Sequence, residues 1–221
     1  MTKQDILDAL EYIGIVDVND FNLKDEYFTD NKFAHSYLHG KAHVYRVMIG
    51  TALLAKALGE PRLGRFAFCA AFLHDQNRIV DGIGKNHGLR AAELSFPNFT
   101  SLWDKYGLSP NEREYVQAAC ADHCANDGHD FKKHPTVRYI LKDADALDRY
   151  RIHPNALNTN FLHYQKESRD LIKPMEEMCD LTNHGFTHDS SFMEFIVKAT
   201  SPGAKRFGTN RQCTPEETKK A

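Results

Sequence analysis

Apolar residues recur along the chain at three- and four-residue steps, separated by short polar breaks. Val44, Val47, Met48, Thr51, Leu54, Ala55 and Leu58 form one such stripe, which predicts a helix with a buried face that ends at Gly59 and Pro61. Phe66-Ala-Phe-Cys-Ala-Ala-Phe-Leu73 is apolar throughout and predicts a segment buried all round. Ser109-Pro110-Asn111-Glu112 predicts a helix start, with Ser at the cap, Pro in the first helical position and Glu closing a capping box. Val137, Ile140, Leu141, Ala144 and Leu147 make a third stripe. Ile172, Met175 and Met178, then Phe192, Phe195, Ile196 and Ala199, predict two more helices. Phe96, Phe99, Trp103 and Tyr106 suit either a core stripe or an interface.

No sustained two-residue alternation occurs, nor an Asn-Gly or Asp-Gly hairpin between apolar strands. The expectation is an all-α, single-domain helical bundle. Residues 1–32 form an N-terminal helical extension, 33–151 the core and 152–200 C-terminal helices packed on it. Residues 201–221 lose the apolar period and form a mobile arm or a packed extension.

At 221 residues, with 42% apolar and 26% charged positions, the chain needs no disulfide staples. A net charge of −2 gives no reason to expect nucleic acid or an acidic membrane as partner. No window approaches the roughly 20 apolar residues of a membrane span. The five cysteines, Cys69, Cys120, Cys124, Cys179 and Cys213, are scattered and contain no CxxC pair, so they read as buried reduced thiols. A cytoplasmic location fits these features.

The chemistry lies in the polar exceptions. His74 and Asp75 close the apolar run, where two adjacent ionisable groups are costly to bury unless a metal or partner compensates them. His43 sits one turn before Val47, at the edge of its stripe. His123 falls on the face of Val116, Ala119 and Cys120, and Asp145 follows Leu141 by one turn. His87 opens the helix after the Gly82–Gly84 loop. Singly, each is more often a hydrogen-bonded core histidine or the partner of a surface cation. Together, several imidazoles and two carboxylates in one core lack a common structural explanation without a metal. Nitrogen and oxygen donors without thiolate favour Mn²⁺, Fe²⁺, Co²⁺ or Zn²⁺ over a structural zinc knot.

His39-Gly-Lys-Ala-His43-Val-Tyr-Arg46-Val, Phe72-Leu-His74-Asp75 and Leu141-Lys-Asp143-Ala-Asp145-Ala-Leu147-Asp148 resemble the three motifs of the HD-domain superfamily, largely metal-dependent phosphohydrolases with a helical core. The resemblance spans Phe33 to Arg151 and implies metal ligation by His43, His74, Asp75 and Asp145. Asn86-His87-Gly88 and Ala121-Asp122-His123 resemble the family's variable middle elements, which hold a second metal or meet phosphate. Gln76-Asn77-Arg78-Ile79 carries no Glu after the HD pair, and the chain has no GYP element, so the general base stays open.

The expectation is a phosphohydrolase acting on a nucleotide or another small phosphate ester, with a metal-activated water attacking phosphorus. Its cofactor is a divalent metal, Mn²⁺ favoured over Fe, Co, Zn or Mg. Asp75 or Asp143 orients the water, His123 or His87 supplies a proton, and Arg46, Arg78, Lys85 and Arg149 are the candidate phosphate contacts. Asp148 reads as one half of a structural ion pair with an Arg. The alternatives are a di-iron oxygenase on the same scaffold, using His43, His74, Asp75, His87, His123 and Asp145, and a non-catalytic module that binds a metal or a phosphorylated ligand.

Overall fold

The structure, a computed structural model, describes residues 1–82, 84, 86–125, 134–153, 155–183 and 189–201. Its helices are α1 Lys3–Tyr12, α2 Asn31–Ala34, α3 Lys41–Leu58, α4 Pro61–Leu73, α5 His87–Arg90, α6 Thr100–Lys105, α7 Pro110–Asp122, α8 Pro135–Leu147, α9 Gln165–Thr182 and α10 Phe192–Ala199. Among the described residues there is no strand, so the chain is all-α. None of their helices is long and apolar enough to cross a membrane.

α3 runs through the middle and packs on α1, α4, α8 and α9. It stops where the sequence predicts, at Gly59, whose φ of +74° is a left-handed cap that side chains disfavour. Every residue from Phe66 to Leu73 on α4 is buried, as its unbroken apolar run requires. α7 starts on the expected capping box: the Ser109 N–H donates to Glu112 Oε2 at 2.8 Å, and the Ser109 hydroxyl donates to the same oxygen at 2.7 Å.

The aromatic stripe resolves as core. Trp103 is fully buried, stacks on Phe96 with ring centroids 5.5 Å apart, and donates from Nε1 to the Phe96 carbonyl. Both flanks of the expected core join one apolar cluster. Ile6, Leu10 and Phe21 enter it from the N-terminal segment, and Met175, Phe192 and Phe195 from the C-terminal helices. Tyr45 on α3 ties the two flanks together: its hydroxyl accepts from the Leu23 N–H at 2.7 Å, while its ring stacks on Phe192 at 4.7 Å. Apart from Ser201, the tail expected over 201–221 lies outside the described residues.

Candidate metal centre

The first turn of α3 meets the C-terminal ends of α4, α7 and α8. His43 is the third residue of α3, His74 and Asp75 directly follow α4, His123 directly follows α7, and Asp145 lies in the last turn of α8. Each helix C-terminus ends in carbonyls without intrahelical partners and carries a partial negative charge. Three such ends around one point favour a cation. His87 arrives from α5, whose second residue, Gly88, lies so close to α7 that a Cβ there would stand 2.4 Å from the Cys120 carbonyl oxygen. Only glycine lets His87 and His123 meet.

The histidine rings share one arrangement. Nδ1 of His74 lies 2.7 Å from the Ala71 carbonyl, that of His87 2.6 Å from Gly84, and that of His123 2.7 Å from Cys120. A carbonyl only accepts, so each Nδ1 carries the proton and each Nε2 presents a lone pair. His43 does the same through Asp148, its Nδ1 standing 2.6 Å from Oδ2. The lone pairs face one another: His43 Nε2 is 3.2 Å from His74 Nε2, and His87 Nε2 is 2.9 Å from His123 Nε2. Burial pushes the His74, His87 and His123 rings down to about 4, so protonation does not relieve the repulsion near neutral pH. Nδ1 held by an acceptor with Nε2 directed inward is how proteins orient histidine toward a metal.

Two carboxylates complete the cluster. Asp75 is 2% exposed; burial raises its carboxyl, but His74 and the hydrogen bond from His39 outweigh this and hold it well below the usual range. Its Oδ2 lies 3.3 Å from His43 Nε2, and its Oδ1 lies 3.3 Å from His87 Nε2. Asp145 Oδ1 is 3.4 Å from His43 Nε2, and this side chain, 28% exposed, is the cluster's opening to solvent. Burial raises its carboxyl too, and the His43 and His74 rings bring it down to about 2.

The donor atoms fall into overlapping groups, each mutually within 4.8 Å: His43, His74 and Asp145; His39, His43 and Asp75; His74, Asp75 and His123; His87, His123 and Cys124. These side chains can hold a metal ion. The four ligands expected from the sequence are together, with His87 and His123 beside them.

The expected cations behave differently. Arg46 is fully buried and turned away: its Nε and Nη2 grip Asp148, and Nη1 donates to Thr182 Oγ1 at 3.0 Å. The i+3 spacing from His43 placed it on the right helix, but the carboxylate of Asp148 claims its guanidinium. Asp148 is thus the ion-pair partner expected of it, and it also accepts from Arg151 Nη1 at 3.2 Å. Arg78 touches the cluster, its Nε donating to Asp75 Oδ1 at 2.9 Å. Arg149 is exposed on the turn Asp148–Arg151, and Lys85 lies outside the described residues.

Two expected catalytic roles need correction. Asp143 does not face the cluster; it is buried and accepts the His163 and Tyr164 backbone N–H groups at 2.9–3.0 Å and the Ser168 hydroxyl at 2.9 Å, anchoring the start of α9. His123 and His87, the expected proton donors, offer lone pairs instead, because their N–H groups are spent on the Cys120 and Gly84 carbonyls.

Two residues join the site unpredicted. His39 donates from Nδ1 to Asp75 Oδ2 at 2.9 Å. It precedes the helix cap Gly40, so helical periodicity gave it no weight. Cys124 stands in a donor group, whereas Cys69, Cys120 and Cys179 are the buried thiols expected of the whole set; Cys213 is outside the described residues. Comparison with protein-family models, curated proteins and solved structures finds nothing that matches the chain.

Proposed function

We propose that this chain is a metal-dependent phosphohydrolase of the HD-domain type, acting on a nucleotide or another small phosphate ester. The observation that supports this most is the convergence of His43, His74, Asp75 and Asp145, the set implied by the motif resemblance, with each ring's Nε2 lone pair turned inward. A divalent metal held there, Mn²⁺ in the first instance, supplies Lewis-acid charge neutralisation and a water of lowered pKa.

The protein's own groups do the rest. Asp148 and the Ala71 carbonyl fix the His43 and His74 tautomers, so both present lone pairs without reorganising. Asp145, the ligand facing solvent, stands where water and substrate arrive. Arg78 is the cation at the cluster, and its guanidinium spreads positive charge beside Asp75, where phosphoryl oxygens gather charge.

The test is phosphate and pyrophosphate release from a mixed nucleotide panel with added Mn²⁺, native chain against Asp75→Ala. Release that disappears in a folded variant supports the proposal. Equal release from both proteins rules this site out.

One observation favours a second reading, a di-iron oxygenase: the two oxygens of Asp75 address different histidines, His43 on one side and His87 on the other. Tightly bound iron with substrate-dependent oxygen consumption would select it.

A further inference from the structure

Resting on the metal centre proposed above, we infer that Ser36 and Asp81 are positioning residues for it, a pair that together holds His39 on Asp75. Asp75 is gripped from two loops. His39, in the lead-in to α3, donates from Nδ1 to Oδ2 at 2.9 Å, and Arg78, in the turn after α4, donates from Nε to Oδ1 at 2.9 Å. One holder on each oxygen fixes the plane in which the carboxylate meets a metal. Neither holder lies in a helix, so each side chain is only as fixed as its loop.

Ser36 supplies the fixing on the His39 side. Its Oγ accepts the Leu38 and His39 N–H groups, both at 3.1 Å, and its hydroxyl donates to Asp81 Oδ1 at 2.6 Å across 45 residues of sequence. A hydroxyl has one proton and two lone pairs, so these bonds use all of them. The bond to Asp81 is charge-assisted, the stronger kind, and it sets where the other two point. The backbone of His39 is thereby placed at the distance from which its ring reaches Asp75.

Asp81 stands at the far end of the turn that carries Arg78, whose Nη1 donates to the neighbouring Gly82 carbonyl at 3.4 Å. The Ser36–Asp81 bond therefore ties together the loops of the two residues that grip Asp75. The lead-in is held on its other side by the turn Asp148–Arg151: Arg151 Nε donates to the Leu38 carbonyl at 2.7 Å, and the Tyr37 hydroxyl donates to the Arg151 carbonyl at 2.7 Å. Asp81 is exposed and Ser36 half-buried, so losing their bond costs the fold little, and the consequence falls on the His39 ring.

Two measurements on the metal-free full-length protein test the pair: nitrogen–proton correlation spectra of the imidazoles, which report the His39 tautomer, and calorimetric titration with Mn²⁺. Native His39 is expected as the single tautomer protonated at Nδ1. Asp81→Ala is expected to melt as the native chain does, to show His39 averaged between tautomers, and to bind Mn²⁺ about tenfold more weakly, the low end of what losing an outer contact to a ligand costs. Asp81→Asn keeps an oxygen for the Ser36 hydroxyl and is expected to restore both the spectrum and the affinity. An unchanged His39 spectrum in Asp81→Ala overturns the inference. So does native Mn²⁺ affinity in that variant, or a loss that Asp81→Asn does not restore; each of these leaves the metal centre standing. Native protein that binds no Mn²⁺ overturns the metal centre and the inference with it.

Discussion

Asp148 accepts the Nδ1 proton of His43 at 2.6 Å across 105 residues of sequence. The carboxylate is fully buried. Burial raises its carboxyl, yet Arg46, Arg151 and the His43 hydrogen bond hold it far below the usual range, so it stays an anion and fixes the imidazole. One residue therefore joins the end of α8 to the start of α3 and sets the lone pair of a proposed ligand.

Asp148→Asn tests this coupling. The amide keeps the shape but leaves Arg46 and Arg151 without a counter-charge, which costs on the order of 3–5 kcal/mol for a buried pair broken on one side. In protein that still folds, Mn²⁺ affinity should fall about 10–100-fold, because the tautomer of His43 is no longer imposed. Calorimetric titration checks the affinity and urea unfolding the stability. Unchanged Mn²⁺ affinity would contradict the orienting role.

Asp145→Asn should separate chemistry from folding. The side chain is partly solvated, so the variant should lose no more than about 1–3 kcal/mol and still fold. It should nonetheless lose Mn²⁺-dependent turnover. A variant that retains native kcat/KM would remove Asp145 from the site.

Much of this site is visible in the primary sequence, and the limits are instructive. His43, His123 and Asp145 are placed by helical period, and His74-Asp75 by the incongruity of two polar residues at the tip of an apolar run. Arg46 and Asp143 show where period stops helping. Each lies on a helix that reaches the cluster, but each side chain is claimed by a group far along the chain: Asp148 for the first, the backbone at His163 and Tyr164 for the second. His39 and Cys124 lie just outside a helix end, where no periodicity applies, and only the assembled structure brings them in.

Acid should destabilise the metal-free protein in a defined window. Burial holds His74, His87 and His123 at about 4 in the folded state, against an ordinary 6.5. Between these values the unfolded chain binds protons that the folded chain refuses, so stability is lost as pH falls from 6.5 toward 4. Asp145, near 2 when folded, prolongs the loss below pH 4. The three displacements add to a loss on the order of 7 kcal/mol by pH 4.5, and Mn²⁺ should shift the transition to lower pH. Urea midpoints measured from pH 7.5 to 4.5 decide the matter; a flat series would contradict the buried neutral rings.

Gly88→Ala should act through packing alone. Its new Cβ would stand 2.4 Å from the Cys120 oxygen and 2.7 Å from His123 Nδ1, forcing α5 off α7. A destabilisation of about 1–3 kcal/mol is expected, with weakened metal binding at His87 and His123. Native melting and native metal stoichiometry in this variant would show that the contact is not required.

The most direct test of the metal centre is metal content itself. Metal-free native protein, loaded with Mn²⁺ and passed through a desalting column, should retain at least one equivalent by elemental analysis, and Asp145→Asn should retain substantially less. No retained manganese in the native chain, or equal retention in both, would contradict the account.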